Sequence, residues 1–421
     1  MTQQAVHLAQ HYGINIVPGS EDDGWVSPPP VTLADGTRLK VFKDGEALHA
    51  AYSAIERAKE RVLLEVYIFA DDATGRAFCD LLCAKAREGV RVYVMYDSFG
   101  SLNTDRDLFT QMRRSGVRIQ EFHPIRPWEC HFSWRPFNRD HRKLLIVDYD
   151  IAWLGGLNIG AEYAGSWVLR ADNIHEFWRD NAIGLLGPSA RYFTRSFART
   201  WNYVQSGGRI IRAEYAHGVE SHRRWGVLNK GEDPRAPLSA PSDLGILASV
   251  PTMDSPLRPM LKKLFGEAKE SIQLTMAYFA PDDELVSSLC AAAMRGVKVE
   301  LMLPAKTDAR LLLIAARAFY ETLMGAGVQI YERQRVVLHA KTMVIDSCVS
   351  LFGSSNLDYR SIEYNCEISA IIRNATFGKH MNALFANDVT YARKICLHEW
   401  RRRPWADRFV QWAVFNARQL L

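Results

Sequence analysis

His141-Arg142-Lys143-Leu144-Leu145-Ile146-Val147-Asp148, followed by Gly155-Gly156-Leu157-Asn158, decides how this chain is read, because the pattern returns near its other end. The second copy is His339-Ala340-Lys341-Thr342-Met343-Val344-Ile345-Asp346, followed by Gly353-Ser354-Ser355-Asn356. Both fit HxKx4Dx6G[GS]xN with the same spacing. The apolar centre of each copy, Leu144–Val147 and Thr342–Ile345, reads as a strand. Residues two apart on a strand share a face, so His141 and Lys143 point the same way, as do His339 and Lys341. Asp148 and Asp346 lie an odd number of residues away, on the other face or in the turn. They read as structural, a buried ion pair or a turn cap. The small residues after the hairpin let the chain turn tightly and bring Asn158 and Asn356 back toward the His-Lys face.

The surroundings of the two copies repeat as well. Ala86-Arg87-Glu88-Gly89-Val90-Arg91-Val92 matches Ala293-Met294-Arg295-Gly296-Val297-Lys298-Val299, and Glu65-Val66-Tyr67-Ile68-Phe69 matches Thr275-Met276-Ala277-Tyr278-Phe279. In each half a helix (Ala47–Lys59; Arg258–Glu270) leads into a buried strand, and a second helix ends at a glycine before a β-branched strand. Alternating strands and helices predict two tandem α/β/α sandwich domains with mainly parallel sheets, related by a pseudo-twofold axis. The expected divisions are an N-terminal extension over 1–40, a first domain over 41–204 and a Gly- and Pro-containing linker over 205–243. A second domain follows over 244–397, then a tail over 398–421.

Composition removes other classes. With 421 residues, 48% hydrophobic and 24% charged, the chain is globular and long enough for two cores. No apolar run reaches the ~18 residues of a membrane-spanning helix, and no secretory signal is expected at the N-terminus. The seven cysteines are scattered without a CxxC, which argues for reduced core thiols rather than disulfides or a zinc cage. No metal and no cofactor is expected. Residues 393–421 carry Arg393, Lys394, Arg401, Arg402, Arg403, Arg408 and Arg418 against Glu399 and Asp407, which accounts for the whole net charge of +5. A neutral body with a basic end is unlike a nucleic-acid binder and suits an anionic surface.

Two His-Lys faces brought together give two imidazoles, two ammoniums and two carboxamides around one point. That set suits a phosphodiester. Lys143, Lys341, Asn158 and Asn356 would neutralise and hydrogen-bond the non-bridging oxygens. One imidazole would attack phosphorus while the other protonates the leaving oxygen. A single His-x-Lys is ordinarily a solvated strand; two complete copies at matching places in two repeats are not.

The duplicated HKD motif resembles the phospholipase D superfamily, and the resemblance spans Val41 to Ile395. Finer features resemble bacterial cardiolipin synthases, particularly the shorter B type. They are Glu65–Phe69, Asn138-Arg139-Asp140-His141-Arg142-Lys143, Gly155–Asn158, Trp178-Arg179-Asp180 leading to Gly187-Pro188, and Ser354-Ser355-Asn356-Leu357-Asp358-Tyr359-Arg360-Ser361. The resemblance implies that Asp180 and Glu367, the latter in Asn365-Cys366-Glu367, orient the histidines through the second ring nitrogen. It also implies transfer between two phosphatidylglycerols to give cardiolipin and glycerol through a phosphatidyl-histidine, with His141 as nucleophile. The symmetry of the site leaves the reverse assignment open. Hydrolysis of phospholipid by water, an HKD nuclease and an inactive lipid-binding scaffold are the alternatives.

Two further stretches point to a membrane. The segment His123–Asp140 carries Trp128, Phe132, Trp134 and Phe137 just before the first motif, either a packed cap or an apolar lip for acyl chains. Arg401-Arg402-Arg403-Pro404-Trp405 precedes an amphipathic stretch, Ala406–Leu421, which reads as a surface anchor or as a docked terminal helix. The expected partners are therefore anionic phospholipid, phosphatidylglycerol by resemblance, and the cytoplasmic face of the cell membrane, with no nucleic acid. Nothing in the sequence sets the oligomeric state.

Overall fold

The computed structural model describes residues 25–126, 128–129, 137–164, 178–207, 243–249 and 255–417. The repeat seen in the sequence becomes two like units, each built on an eight-stranded sheet. The first contains β1 (Val31–Thr32), β2 (Arg38–Lys43), β3 (Arg61–Val66), β4 (Arg91–Asp97), β5 (Arg118–Phe122), β6 (Leu144–Val147), β7 (Ile151–Gly155), β8 (Trp178–Arg179) and β9 (Asn181–Leu186). The second contains β10 (Leu244–Ala248), β11 (Ser271–Met276), β12 (Phe279–Ala280), β13 (Lys298–Pro304), β14 (Gln329–Arg333) and β15 (Val337–Leu338), then β16 (Lys341–Ile345), β17 (Val349–Gly353), β18 (Leu357–Asp358), β19 (Ile368–Arg373) and β20 (Ala392–Lys394). The sheet orders are β1-β2-β9-β7-β6-β3-β4-β5 and β10-β19-β17-β16-β11-β13-β14-β20. The central run β9-β7-β6-β3-β4-β5 maps strand for strand onto β19-β17-β16-β11-β13-β14.

The sheets are more mixed than the sequence suggests. Within the two eight-stranded sheets, parallel pairing is confined to β3-β4-β5 and β11-β13-β14, where helices cross over between successive strands. The remaining pairings within the two sheets are antiparallel. The physical reason is connection length. β6 and β7, like β16 and β17, are joined by three residues, which permits a hairpin but no crossover. The helices Ala73–Arg87 and Asp283–Met294 begin at Asp72 and Asp282, whose carboxylates accept the N–H of Gly75 and Leu285. Both end before a glycine in the left-handed region, Gly89 and Gly296, each at φ 93°.

Alternation along the strands distributes the core. Val62, Leu64 and Val66 face the outer helices of the first unit, and Leu63 faces the opposite way. On that inner side lie Phe193, Phe197 and Trp201 of the helix Ala190–Gln205. The same apolar cluster takes in Phe377, Met381 and Leu384 of the helix Ala375–Thr390 and the inner face of the second sheet. The helix Ala190–Gln205 packs on the inner face of the first sheet and Ala375–Thr390 on that of the second, and the sheets also meet directly where β17 lies against β7 and β9. The two units share one inner core and cannot part without exposing it.

Two expectations need adjustment. Residues 31–40, assigned to an extension, form β1 and the start of β2 at the edge of the first sheet, so that unit begins before residue 41. Cys79, Cys83, Cys290 and Cys366 are buried free thiols, but Cys348 and Cys396 are exposed rather than in the core. Most of the 205–243 linker and Cys130 lie outside the described residues.

Candidate active site

The site forms where β6 and β16 begin, across the pseudo-twofold axis. The backbone N–H of His141 donates to the carbonyl of Cys366 at 3.0 Å, and that of His339 donates to the carbonyl of Arg179 at 2.8 Å. β8 of the first unit pairs in parallel with β15 of the second, beside His339. Cys366 and Arg179 each precede an acid. The cross-linking therefore delivers each unit's carboxylate to the other unit's histidine. Glu367 Oε1 lies 3.0 Å from His141 Nδ1, and Asp180 Oδ2 lies 2.7 Å from His339 Nδ1. Lys143 Nζ donates to the carbonyl of His141 at 2.6 Å, and Lys341 Nζ donates to that of His339 and approaches its Nδ1 at 2.9 Å. All six side chains are buried.

Burial dominates the electrostatics. It pushes the His141 imidazole down to about 4, with the Lys143 ammonium adding to the effect against the pull of Glu367. Burial, Lys341 and Lys143 hold His339 well below its ordinary value. Burial and the mutual repulsion of the ammoniums lower Lys143 to about 7, and burial lowers Lys341 to about 8 against the attraction of Asp180. Burial raises Asp180 to about 6, opposed by Lys341. Burial also acts on Glu367, but His141 and Lys143 outweigh it and keep its carboxyl below the usual range. At neutral pH both acids are ionised and both imidazoles neutral. A neutral imidazole beside a carboxylate carries its proton on Nδ1, which leaves a lone pair on Nε2.

The remaining motif residues build the frame. Asp148 and Asp346 sit at the β6–β7 and β16–β17 turns with φ of 51° and 50°. The Asp148 carboxylate accepts the N–H groups of Lys59, Glu60 and Arg61 at 2.8–3.2 Å, and Asp346 accepts those of Lys269, Glu270 and Ser271 at 2.8–3.2 Å. They cap the entry to β3 and β11 through backbone donors and form no ion pair within 4.0 Å among the described residues. The glycines play a different part from the one expected. The left-handed turn falls on the aspartates, and Gly156 instead clears space, since a Cβ there would lie 2.3 Å from Asp180 Oδ1. At the matching position of the second unit Ser354 donates its hydroxyl to Glu367. Asn158 accepts from the N–H of Ile68 at 3.0 Å and donates to the Tyr163 hydroxyl at 2.7 Å, which leaves one of its two amide hydrogens for a ligand. Asn356 keeps a buried Oδ1 with no partner among the described residues.

These groups border a cleft of about 250 Å³, which both histidines and both asparagines line. Its two ends differ. His339 stands among the rings of Trp178, Tyr163 and Tyr278, with centroids at 5.0, 5.5 and 6.3 Å, whereas His141 meets the Tyr67 ring at 5.1 Å. Sequence reasoning gave these aromatics no role, although Trp178 directly precedes the Arg179-Asp180 pair that it did single out. It also passed over Arg142. Projecting opposite to His141 and Lys143, that side chain is fully buried, 3.2 Å from Glu65 Oε1 and 3.3 Å from the carbonyl of Glu367, and it donates to Ser249 O. It ties the two units together behind the site.

The membrane-facing expectations fare unevenly. Trp128 is 79% exposed and Phe137 68%. Phe132 and Trp134 lie outside the described residues. The terminal helix Trp405–Asn416 docks on the second unit, with Phe415 against Phe319 and, just ahead of it, Trp400 against Tyr320. Its polar Gln411 turns inward and bonds Arg403 Nε at 3.0 Å, while Trp405, Phe409 and Trp412 are 58–80% exposed. Of the three arginines expected on a membrane, Arg403 is largely buried and bonds Glu321 at 3.2 Å, because its donors satisfy that acid and Gln411 together. Arg401 lies 3.4 Å from the same acid. Arg402 is exposed.

Comparisons with known proteins agree with this architecture. The family described as "Cardiolipin synthase, PLD-like domain" matches residues 52–201 and 261–389, one segment per unit. A cardiolipin synthase of Halalkalibacterium halodurans is 30% identical over 385 residues, covering 90% of this chain and 71% of that protein. A probable cardiolipin synthase of Bacillus subtilis is 30% identical over 373 residues, covering 88% and 70%. Among solved structures, phosphatidylserine synthase of Haemophilus influenzae superposes over the whole of both chains with a TM-score of 0.68 at 13% identity, which is a likeness of fold. With both segments matched and the relatives covered over more than two thirds of their length, the chain belongs to the cardiolipin synthase family of the phospholipase D superfamily and is an enzyme.

Proposed function

We propose that this enzyme, a phosphatidyltransferase by family, joins two phosphatidylglycerols into cardiolipin and releases glycerol. The observation that carries the reading is the crossed pair of histidine–carboxylate contacts, His141 with Glu367 and His339 with Asp180, at one cleft, with Lys143 and Lys341 bonded to the carbonyls of the two histidines. Its chemistry is double displacement. The donor phosphodiester lies between Lys143 and Lys341, and its negative charge favours protonation of His339. His141 Nε2 attacks phosphorus, the P–N bond forms, the P–O bond to glycerol breaks, and His339 gives its proton to the departing oxygen. The hydroxyl of the second lipid then attacks the phosphatidyl-histidine. Its proton passes to His339, the P–N bond breaks, and His141 is free again. Glu367 steadies the cationic imidazole of the covalent stage and Asp180 that of the acid. The charge work on the phosphate is done by lysines and amides, so the mechanism calls for no metal.

The reading places the enzyme on the cytoplasmic side of the cell membrane. No helix among the described residues is long and apolar enough to cross a bilayer. The outward aromatics of the terminal helix, with Trp128 and Phe137, supply apolar contact instead. The experiment is to incubate the full chain with phosphatidylglycerol vesicles and follow lipids by mass spectrometry. Cardiolipin with equimolar glycerol is expected. Phosphatidic acid as the only lipid product would establish water as the acceptor and overturn the transfer reading.

A further inference from the structure

The catalytic set is symmetric, but the cleft rim is not. Four residues after the motif asparagine, the first unit has Glu162 and the second has Arg360. Arg360 borders the cleft and is half-buried, and among the described residues its guanidinium has neither an ion pair nor a hydrogen bond. The other arginine at the rim, Arg139, is engaged, donating to the carbonyl of His123 at 2.9 Å and standing 3.7 Å from Asp97. The exposed acid of the cleft, Asp308, is taken up by the Tyr278 hydroxyl at 2.7 and 2.9 Å and by Thr307 at 3.0 Å. Asp358, the other carboxylate bordering the cleft, is buried and accepts the Ser361 N–H at 2.8 Å; the Arg360 charge acts on it, but the two form no ion pair within 4.0 Å among the described residues, so the arginine fork stands at the cleft without a bonded carboxylate. Beside it stands Asn365, whose Oδ1 is buried with no partner among the described residues and which borders the same cleft. The N–H groups of Tyr364 and Asn365 both donate to the carbonyl of Arg360 at 2.9 Å, which holds Arg360 and Asn365 on one turn of backbone.

We propose that Arg360 and Asn365 form the subsite for the acceptor lipid, with Arg360 binding its phosphate and Asn365 its free glycerol hydroxyl. The proposal rests on the transferase reading above. That reaction brings two phosphates into one cleft. Lys143 and Lys341 serve the one at which bonds change. The other belongs to the acceptor and lies one glycerol unit behind the attacking hydroxyl, so its cation must stand at the rim rather than at the histidines. Guanidinium suits a phosphate bidentately, and a buried orphan carbonyl oxygen is satisfied by a polyol hydroxyl. Water carries no phosphate and gains nothing from this subsite. Arg360 is therefore a specificity-determining residue that favours a lipid acceptor over smaller competitors.

The test is an acceptor competition within one sample. Wild type, Arg360→Gln and Arg360→Lys are each incubated as the full chain with phosphatidylglycerol vesicles and a fixed excess of 1-propanol, and cardiolipin and phosphatidylpropanol are measured together. Both products pass through the same covalent stage, so partial unfolding or slower first-step chemistry cancels in their ratio. Arg360→Gln should lower the cardiolipin-to-phosphatidylpropanol ratio by about 10- to 100-fold, the loss of a charge-assisted bond, and Arg360→Lys by less. A ratio within twofold of wild type in Arg360→Gln overturns the subsite, whatever happens to the total rate. If wild type makes phosphatidylpropanol but no cardiolipin, the transferase reading fails and the subsite with it. Cardiolipin from wild type with an unchanged ratio in the variant sinks the subsite alone.

Discussion

Replacing Glu367 by glutamine exchanges one oxygen for an amide nitrogen at a site in the second unit, yet it should disable a histidine in the first. The carboxylate receives His141 Nδ1 at 3.0 and 3.3 Å and the Ser354 hydroxyl. While the imidazole is neutral that bond is an ordinary one. When Nε2 binds phosphorus the ring becomes cationic, and a hydrogen bond between charged partners gains about 1–2 kcal/mol over a neutral one. Attraction between unit charges some 4 Å apart adds about 4 kcal/mol at an effective dielectric of 20. Some of that total is already present in the ground state, so about 3–5 kcal/mol is at stake, or roughly 10²- to 10⁴-fold in kcat. The assay is initial glycerol release from phosphatidylglycerol vesicles, alongside a thermal melt and the Glu367→Gln/His141→Asn double variant. The double variant should be no slower than His141→Asn alone, because both changes remove the same stabilised cation. A Glu367→Gln enzyme with kcat within threefold of wild type and an unchanged melt would refute the crossed dyad as the source of activation.

Asp346→Asn should cost about 2 kcal/mol of stability, since one carboxylate gathers three backbone donors, and should leave the chemistry of the folded protein alone. Those donors outweigh burial and hold the Asp346 carboxyl below its ordinary value, so its stabilisation is present above about pH 4 and is lost as pH falls through the lowered value. The gap between wild-type and variant melts must therefore close in acid; a constant gap would show that the carboxylate is not the cap. Activity should fall on the alkaline side as Lys143, at about 7, and then Lys341, at about 8, lose the charge that binds phosphate. A rate that stays level to pH 10 would mean the ammoniums are not needed in that form. Changing Trp405, Phe409 and Trp412 together to serine should weaken co-sedimentation with anionic vesicles at least tenfold, nearly independently of salt, with little change in melting temperature because all three face outward. Undiminished binding would place the membrane contact elsewhere.

The duplicated motif was legible because spacing along a strand is a local property. His141 with Lys143, and the match of each half to the other, follow from periodicity alone. The sheet order was less so. Alternating strands and helices describe β3-β4-β5 correctly, but the three-residue turns at Asp148 and Asp346 impose hairpins on the other half of each sheet. The pairing of Asp180 with His339 and of Glu367 with His141 spans 159 and 226 residues and has no local signature at all. Family resemblance pointed to the two acids, and only the fold showed which histidine each one meets. The tail was legible only in part for a related reason. A helical stripe says which residues share a side, not which side turns inward. Gln411 was free to face the body because Arg403 was there to bond it. Arg360 lies within a stretch that resembles the family, but its importance depends on what fails to pair with it in space.

The crossed acids carry a lesson about ancestry. A base in each copy that depends on an acid in the other is the geometry of a symmetric dimer carried within a single gene. A lone ancestral copy would have had to find a second like itself to complete even one pair. Within one chain the copies need not be identical, and they differ at three places: aspartate opposite glutamate, glycine opposite serine, glutamate opposite arginine. The histidines and lysines are the same in both. Each half is thus the environment in which the other's histidine works, and a change to an acid in one is felt at the histidine of its twin.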